Sequence, residues 1–373
     1  MKIAIQTLPL HTNYGGILQA YALQTTLQRM GHEAYVIDKS REPKTLPPVR
    51  HVLSFTKRCV KRYILGDKST VLNPKAQWKL EYPIISQNTQ PFIDKYINSL
   101  HCKEYTDLPK NCVDAIVVGS DQVWRPKYFG NIADAYLAFA QNWDIKRIAY
   151  AASFGTDEWE YTKSQTVACR ELISKFDAVS VREDSAVKLY KERFGIDAQH
   201  VLDPTMLLNM EDYIELVNKA ETPKSTGNLL VYILDDSSDK SKVVNKIAKQ
   251  KGLTPFSVNS KIGDMNAPVE ERIQPPVELW LRGFMDAEFI VTDSFHACVF
   301  SIIFHKPFIA YGNTERGAAR FHSLLSMFGL ESQFISSSES LEFERCSCID
   351  WDKVNIRYEK IKSVSYDFLR LNM

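Results

Sequence analysis

Five short stretches of the chain bring together side chains that could hold an anion or move a proton. The turn Asn13-Tyr14-Gly15-Gly16 precedes a helical pattern. Its glycines let backbone amides approach an anion at the helix N-terminus, although Gly-Gly is also ordinary turn chemistry. Gly119-Ser120-Asp121-Gln122-Val123-Trp124 leaves an apolar run at 113–118. Asp121 could accept a hydroxyl proton or orient a sugar, and Trp124 could stack on a sugar face. The alternative is an aspartate capping the next helix and a tryptophan in the core. Ser180-Val181-Arg182-Glu183 puts an arginine at a strand end. Its planar fork suits phosphate or carboxylate, or a salt bridge to Glu183 or Asp184. In Thr292-Asp293-Ser294-Phe295-His296, Asp293 or Ser294 stands at a helix N-cap and His296 in the first turn. An imidazole there could donate to a phosphate or pass a proton near neutral pH. Residues 314–322 add Arg316 and Arg320 after a further strand.

The elements that must carry these groups alternate in βα fashion. Apolar runs at 2–7, 34–38 and 113–118 read as strands, and 17–30 has apolar residues at helical spacing up to Gly31. Strands are also expected near 147–153, 178–181 and 199–203, with helices at 157–176 and 184–194. The polar stretch 221–228 (ETPKSTGN) is the best linker. Beyond it the rhythm restarts, with strands at 229–234, 254–258, 288–292 and 307–311 and helices at 239–251, 276–285, 295–305 and 317–328. The expectation is an α/β protein of two Rossmann-like domains, 1–208 and 226–345, with a helical tail at 346–373. Residues 40–110, with prolines at 43, 47, 48, 74, 83, 91 and 109, read as an irregular insertion. Each candidate group lies just after a strand, where this class of fold binds ligands.

Composition narrows the function. At 373 residues the chain suits two domains of roughly 150–200 residues. A formal net charge of +1 gives no global field for nucleic acid or an anionic surface, and the cluster Lys57-Arg58-Cys59-Val60-Lys61-Arg62 reads as a solvated helical face. No stretch reaches the ~20 apolar residues of a membrane span, and the N-terminus lacks signal-peptide features. Seven scattered cysteines, with Cys346-Ser347-Cys348 the only close pair, suggest reduced thiols, a cytoplasmic location and no zinc site.

NYGGILQAYAL, VVGSDQVW, SVRE followed by Ser185, VLDPT, TDSFHACVFSIIFHKPF and ERGAARFHSLL occur in this order. Together they resemble the polysaccharide pyruvyl transferase family over about residues 3–330. The resemblance implies two Rossmann-like domains in a GT-B-like arrangement around an interdomain cleft. It implies transfer of the pyruvyl group of phosphoenolpyruvate, as a ketal, onto two hydroxyls of a sugar in a lipid-linked or polymeric surface glycan, with phosphate released. The family positions for donor binding and catalysis match Arg182 and His296. Many members carry arginine where this chain has Ser294, glycine where it has Ala297, and Gly-Asp where it has Gly15-Gly16. Arg316, Arg320 or Lys306 can stand in for the missing arginine. The chemistry then needs His296 as general acid and Asp121 as base, with Asn13, Gly15, Gly16, Ser120, Trp124, Arg182, Ser294, Arg316 and Arg320 binding substrates. No metal or nicotinamide is required, and membrane association is at most peripheral. The competing expectations are a GT-B glycosyltransferase using a nucleotide sugar, and a catalytically silent glycan- or anion-binding protein.

Overall fold

Short apolar runs ended by Gly, Asp or Pro become strands here because a strand buried on both faces needs no polar alternation. Residues 1–39, 48–67, 70–312, 318–342 and 348–373 are described by a computed structural model of the chain. The first sheet contains β1 (Lys2–Gln6), β2 (Glu33–Lys39), β3 (Ser99–Cys102), β4 (Ala115–Val118), β5 (Lys146–Ala152), β6 (Ala178–Val181) and β7 (Gln199–His200). Its strands are parallel and ordered β3-β2-β1-β4-β5-β6-β7. The second sheet is built from β8 (Leu229–Tyr232), β9 (Pro255–Phe256), β10 (Phe289–Thr292), β11 (Phe308–Tyr311) and β12 (Phe334–Ile335). It is also parallel, ordered β12-β11-β10-β8-β9.

Helices make the crossovers: α1 (Tyr14–Arg29), α2 (Pro48–Cys59), α3 (Pro74–Ile85), α4 (Gln90–Tyr96), α5 (Lys163–Ile173), α6 (Asp184–Phe194), α7 (Met210–Lys219), α8 (Ser238–Lys251), α9 (Val277–Asp286), α10 (Phe295–Ile303) and α11 (Ala319–Phe328). The strand order of each sheet reverses once, between β1 and β4 and between β8 and β10. At such a switch point the outgoing helices part to opposite faces and leave a crevice beyond the strand ends. Both crevices open onto one cleft, which residues following β1, β4, β8 and β10 line together. This is the GT-B-like arrangement of an α/β protein.

Three features depart from the simplest reading of the sequence. Residues 40–110 contain more order than their prolines suggest, including α3, α4 and the edge strand β3, which pairs with β2. Pro74 and Pro91 sit in the first turns of their helices, where the missing N–H costs no bond. Between the sheets the chain forms α7, whose buried Tyr213 packs edge-on to Phe300 of α10 at 4.9 Å. The C-terminal helix Trp351–Asn372 runs back to the first sheet, where Phe368 meets Tyr150 and Ser365 Oγ accepts the Leu202 N–H.

Candidate active site

The cleft has a volume of about 1200 Å³. One wall carries Thr12, Asn13 and Gly15 from the β1–α1 turn and Asp121 and Gln122 from the turn after β4. The facing wall carries 231–236 from the end of β8 onward, Ser257 and 259–264 after β9, and Asp293 to His296 after β10. Two helices therefore begin in the cleft. The caps of α1 (Asn13) and of α10 (Ser294) make no side-chain hydrogen bond to their own first turn. First-turn amides without a side-chain cap are the usual anion-binding surface of a helix N-terminus.

His296 stands where those helices meet. It lines the cleft yet is only 8% exposed. A Cβ added to Gly15 would fall 2.1 Å from its Nδ1 and 2.3 Å from its Cγ. The α1 turn thus lies flat against the imidazole, and only glycine permits that approach. On the other side, Nε2 is 3.6 Å from Asp203 Oδ2, just beyond hydrogen-bond reach, and no hydrogen bond is made to Nε2.

Asp203, at the turn after β7, is the hub of the buried charge. Its Oδ2 accepts hydrogen bonds from Arg182 Nη1 (2.7 Å) and Ser120 Oγ (2.9 Å). Its Oδ1 accepts the N–H and the hydroxyl of Thr205 at 3.0 and 2.7 Å. Burial works to raise the pKa of this carboxyl, but the neighbouring His296 and Arg182 outweigh it and hold it far below the usual carboxylate range. Asp203 is the main residue the sequence reading missed. Its signal was its place in VLDPT, at the end of a strand on the same edge of the sheet.

That hub corrects the expectation for Arg182. The guanidinium is not a cleft-lining clamp; it is buried, paired with Asp203, and 3.7 Å from Asp121. Burial would lower its pKa, and the charges of Asp203, Asp121 and Glu183 raise it instead. It stacks over the Phe295 ring at 4.5 Å, and its Nε and Nη2 make no hydrogen bond. Glu183 is not its partner; Glu183 Oε1 accepts from Ser153 Oγ and from the Phe154 and Gly155 amides. Ser120 is likewise fully buried and serves Asp203. Trp124 is a core residue, stacked on Tyr136 at 5.3 Å with its indole N–H on the Ala135 carbonyl, so it offers no sugar platform. The turn after β4 presents Asp121 and Gln122 to the cleft, while Val123 and Trp124 fall on the inner side. Gly16 is buried beside Asn13 rather than in the cleft wall.

The other expectations divide. Asp121 lines the cleft in a left-handed backbone conformation (φ 72°), which aspartate tolerates at a small cost in strain. Ser294 lines the cleft, whereas Asp293 does not cap α10. Asp293 accepts the Leu234 and Asp235 amides at 2.7 and 3.1 Å and pairs with Lys240 at 2.7 Å, tying the loop after β8 to the start of α10. Arg320 lines the cleft, its guanidinium 5.6 Å from the Phe295 ring. Burial and the charge of Arg182 push its pKa down to about 10. Arg316 lies outside the described residues. Among the described residues no cluster of His, Cys, Asp and Glu could hold a metal, and no helix is long and apolar enough to cross a membrane.

Two parallel sheets with a helix-start site in the cleft between them make this an α/β protein of the GT-B-like class. The chain belongs to the polysaccharide pyruvyl transferase family, whose sequence profile matches residues 13–315. That span contains His296, Arg182, Asp203 and Asp121. No curated protein matches the chain in sequence. Among solved structures it is similar to the UDP-GlcNAc 2-epimerase of Neisseria meningitidis, with 10% identity, a TM-score of 0.46 and coverage of 98% of this chain and 94% of that one. It is also similar to a glycosyltransferase of Rickettsia africae, with 12% identity, a TM-score of 0.48 and coverage of 100% and 94%. The UDP-GlcNAc 2-epimerase of Methanocaldococcus jannaschii follows at 14% identity, TM-score 0.46, and coverage of 97% and 93%.

Proposed function

We propose that the cleft binds phosphoenolpyruvate at the helix starts around His296 and transfers its pyruvyl group, as a ketal, to a sugar of a surface polysaccharide or its lipid-linked precursor. The observation that carries this reading is the meeting of two helix N-termini without side-chain caps at one buried histidine, backed by Asp203, Arg182 and Arg320. The donor is a small dianion or trianion carrying phosphate and carboxylate, and helix amides with an adjacent guanidinium are suited to both.

The reaction begins with a proton delivered to the methylene carbon of the donor, which becomes a methyl group as positive charge develops at C2. His296 supplies that proton. Asp203, held ionised, stands 3.6 Å from the Nε2 of that ring. A sugar hydroxyl adds to C2, its proton passing to Asp121; a second hydroxyl then displaces phosphate to close the ketal, its proton restoring His296, and the proton held by Asp121 leaves with the phosphate. Arg320 and the amides of α1 and α10 stabilise the departing phosphate. The loops of the second sheet also bring carboxylates to the cleft lining (Asp235, Asp236, Asp264 and Glu271, the last paired with Lys261), which suit the hydroxyls of a neutral acceptor better than a second anion.

Calorimetric titration tests the donor assignment. Phosphoenolpyruvate should bind the wild-type chain, and UDP- and CDP-linked sugars should not. Tight binding of a nucleotide sugar with no response to phosphoenolpyruvate would replace this reading with glycosyl transfer.

A further inference from the structure

The helix α2 continues into a π-helical turn, Val60–Ile64, and this segment presents the wrong face to water. Val52, Leu53, Phe55, Val60, Tyr63, Ile64 and Leu65 are 40–75% exposed, and Lys57 and Lys61 are exposed beside them. On a helical projection Val52, Phe55, Val60 and Tyr63 share one broad face, while Lys57, Arg58 and Lys61 share the opposite one. A helix merely solvated on a protein surface turns its apolar side inward. Here the arginines instead bond carbonyls of the segment that follows, Arg58 Nη1 to Leu72 (3.5 Å) and Arg62 Nη1 to Thr70 (2.9 Å), and no residue of Val60–Ile64 is buried. The apolar face is left outward.

We propose that residues 52–65 dock the chain on an anionic lipid bilayer, with the apolar face at the headgroup boundary and the lysines against lipid phosphates. Charge decides the occupant. A large apolar face with lysine and arginine on the polar side is the composition of an interfacial helix, and each basic side chain adds attraction to acidic headgroups. A protein partner would require no such basic flank, and a second copy of this segment would bring like charges together.

The position of the segment gives the docking a use. Residues 70–72 lead into α3, which flanks the cleft mouth. Tyr82 of α3 packs edge-on to His11, next to the cleft residue Thr12, and Glu81 pairs with Arg272 at 2.8 Å. The Gln274 N–H, from a residue that lines the cleft, donates to the Ile85 carbonyl. On α3 itself Leu80 is 72% exposed. A bilayer docked on 52–65, the segment that leads into α3, would lie near the element flanking the cleft mouth, where a lipid-linked substrate would enter.

Sedimentation of the full chain with vesicles tests this without donor or acceptor, so its outcome is separable from the pyruvyl-transfer reading. Vesicles of phosphatidylcholine mixed with phosphatidylglycerol should bind the chain, and pure phosphatidylcholine vesicles should not. The exposed triple variant Phe55→Ser, Tyr63→Ser, Ile64→Ser and the double variant Lys57→Glu, Lys61→Glu should each lower partition at least tenfold while gel filtration and circular dichroism remain unchanged. Absence of vesicle binding, equal binding by the variants, or binding indifferent to lipid charge would overturn the proposal. So would a wild-type dimer that the apolar variant converts to a monomer, since that assigns the face to a second copy.

Discussion

Replacing Gly15 by alanine probes the contact on which the site depends. The new methyl would sit 2.1 Å from His296 Nδ1, against an ordinary limit near 3.4 Å, so the ring or the α1 turn must move by roughly 1 Å. Gly15 belongs to α1, and its φ is not in the left-handed region, so alanine suits the backbone and by propensity would stabilise the helix by up to about 1 kcal/mol. Overpacking against a buried ring costs about 1–3 kcal/mol. The net change in the wild-type background is a modest loss. In a His296→Ala background the obstacle is gone, and Gly15→Ala should become neutral or stabilising. Urea unfolding of the four proteins should therefore return a coupling of about 1–3 kcal/mol between positions 15 and 296. Since a displacement of ~1 Å at a reacting group can cost about 100-fold in rate, turnover of Gly15→Ala should fall by that order. A coupling within ~0.3 kcal/mol of zero would show that the two walls do not touch in solution, and the site as described would be refuted.

Three further outcomes follow from the same geometry. His296→Asn should keep the fold and much of the anion binding while turnover drops at least ~100-fold, read as phosphate release from phosphoenolpyruvate. Asp203→Asn should cost about 3–5 kcal/mol at neutral pH by stranding the buried Arg182 charge. Because the folded pKa of Asp203 is depressed, its contribution is present above the ordinary carboxyl range near pH 4 and is lost as pH falls below it. The variant should therefore show a flatter acid limb in its unfolding profile between about pH 4 and 2, and an unchanged limb would dismiss Asp203 as the hub. Arg320 pays for burial beside Arg182 with a guanidinium pKa near 10, a strain that a bound anion relieves. Phosphoenolpyruvate at about 100 times its Kd should stabilise the wild type by about 2.7 kcal/mol, and Arg320→Gln should lose most of that gain in a melting assay.

The strand ends were legible in the sequence because buried parallel strands are short apolar runs cut off by Gly, Asp or Pro. The turn at Gly15, Asp121, the α10 start and His296 could each be placed from such runs, and the structure brings all four to one cleft. What could not be read was direction. Ser120, Asp121 and Trp124 are neighbours in sequence, yet only Asp121 lines the cleft while Ser120 and Trp124 are buried behind it. Arg182 looked like a free cation because its partner Asp203 belongs to a different strand end, and Ser120 and Asp203 are 83 residues apart. Pairings of that kind depend on how β4, β6 and β7 lie in the sheet, which one chain's pattern does not encode. Edge strand β3 was hidden for a related reason: Ser-Leu-His-Cys has no apolar run, and it becomes a strand by pairing with β2.

Pyruvyl transfer itself is tested most directly by incubating the chain with phosphoenolpyruvate and a pool of polymeric and lipid-linked glycans, then following glycan mass and free phosphate together. The account predicts glycans that gain one pyruvyl ketal for each phosphate released, with both signals absent for His296→Asn. Glycans that stay unmodified with phosphoenolpyruvate but gain a sugar when a nucleotide sugar is supplied would contradict it.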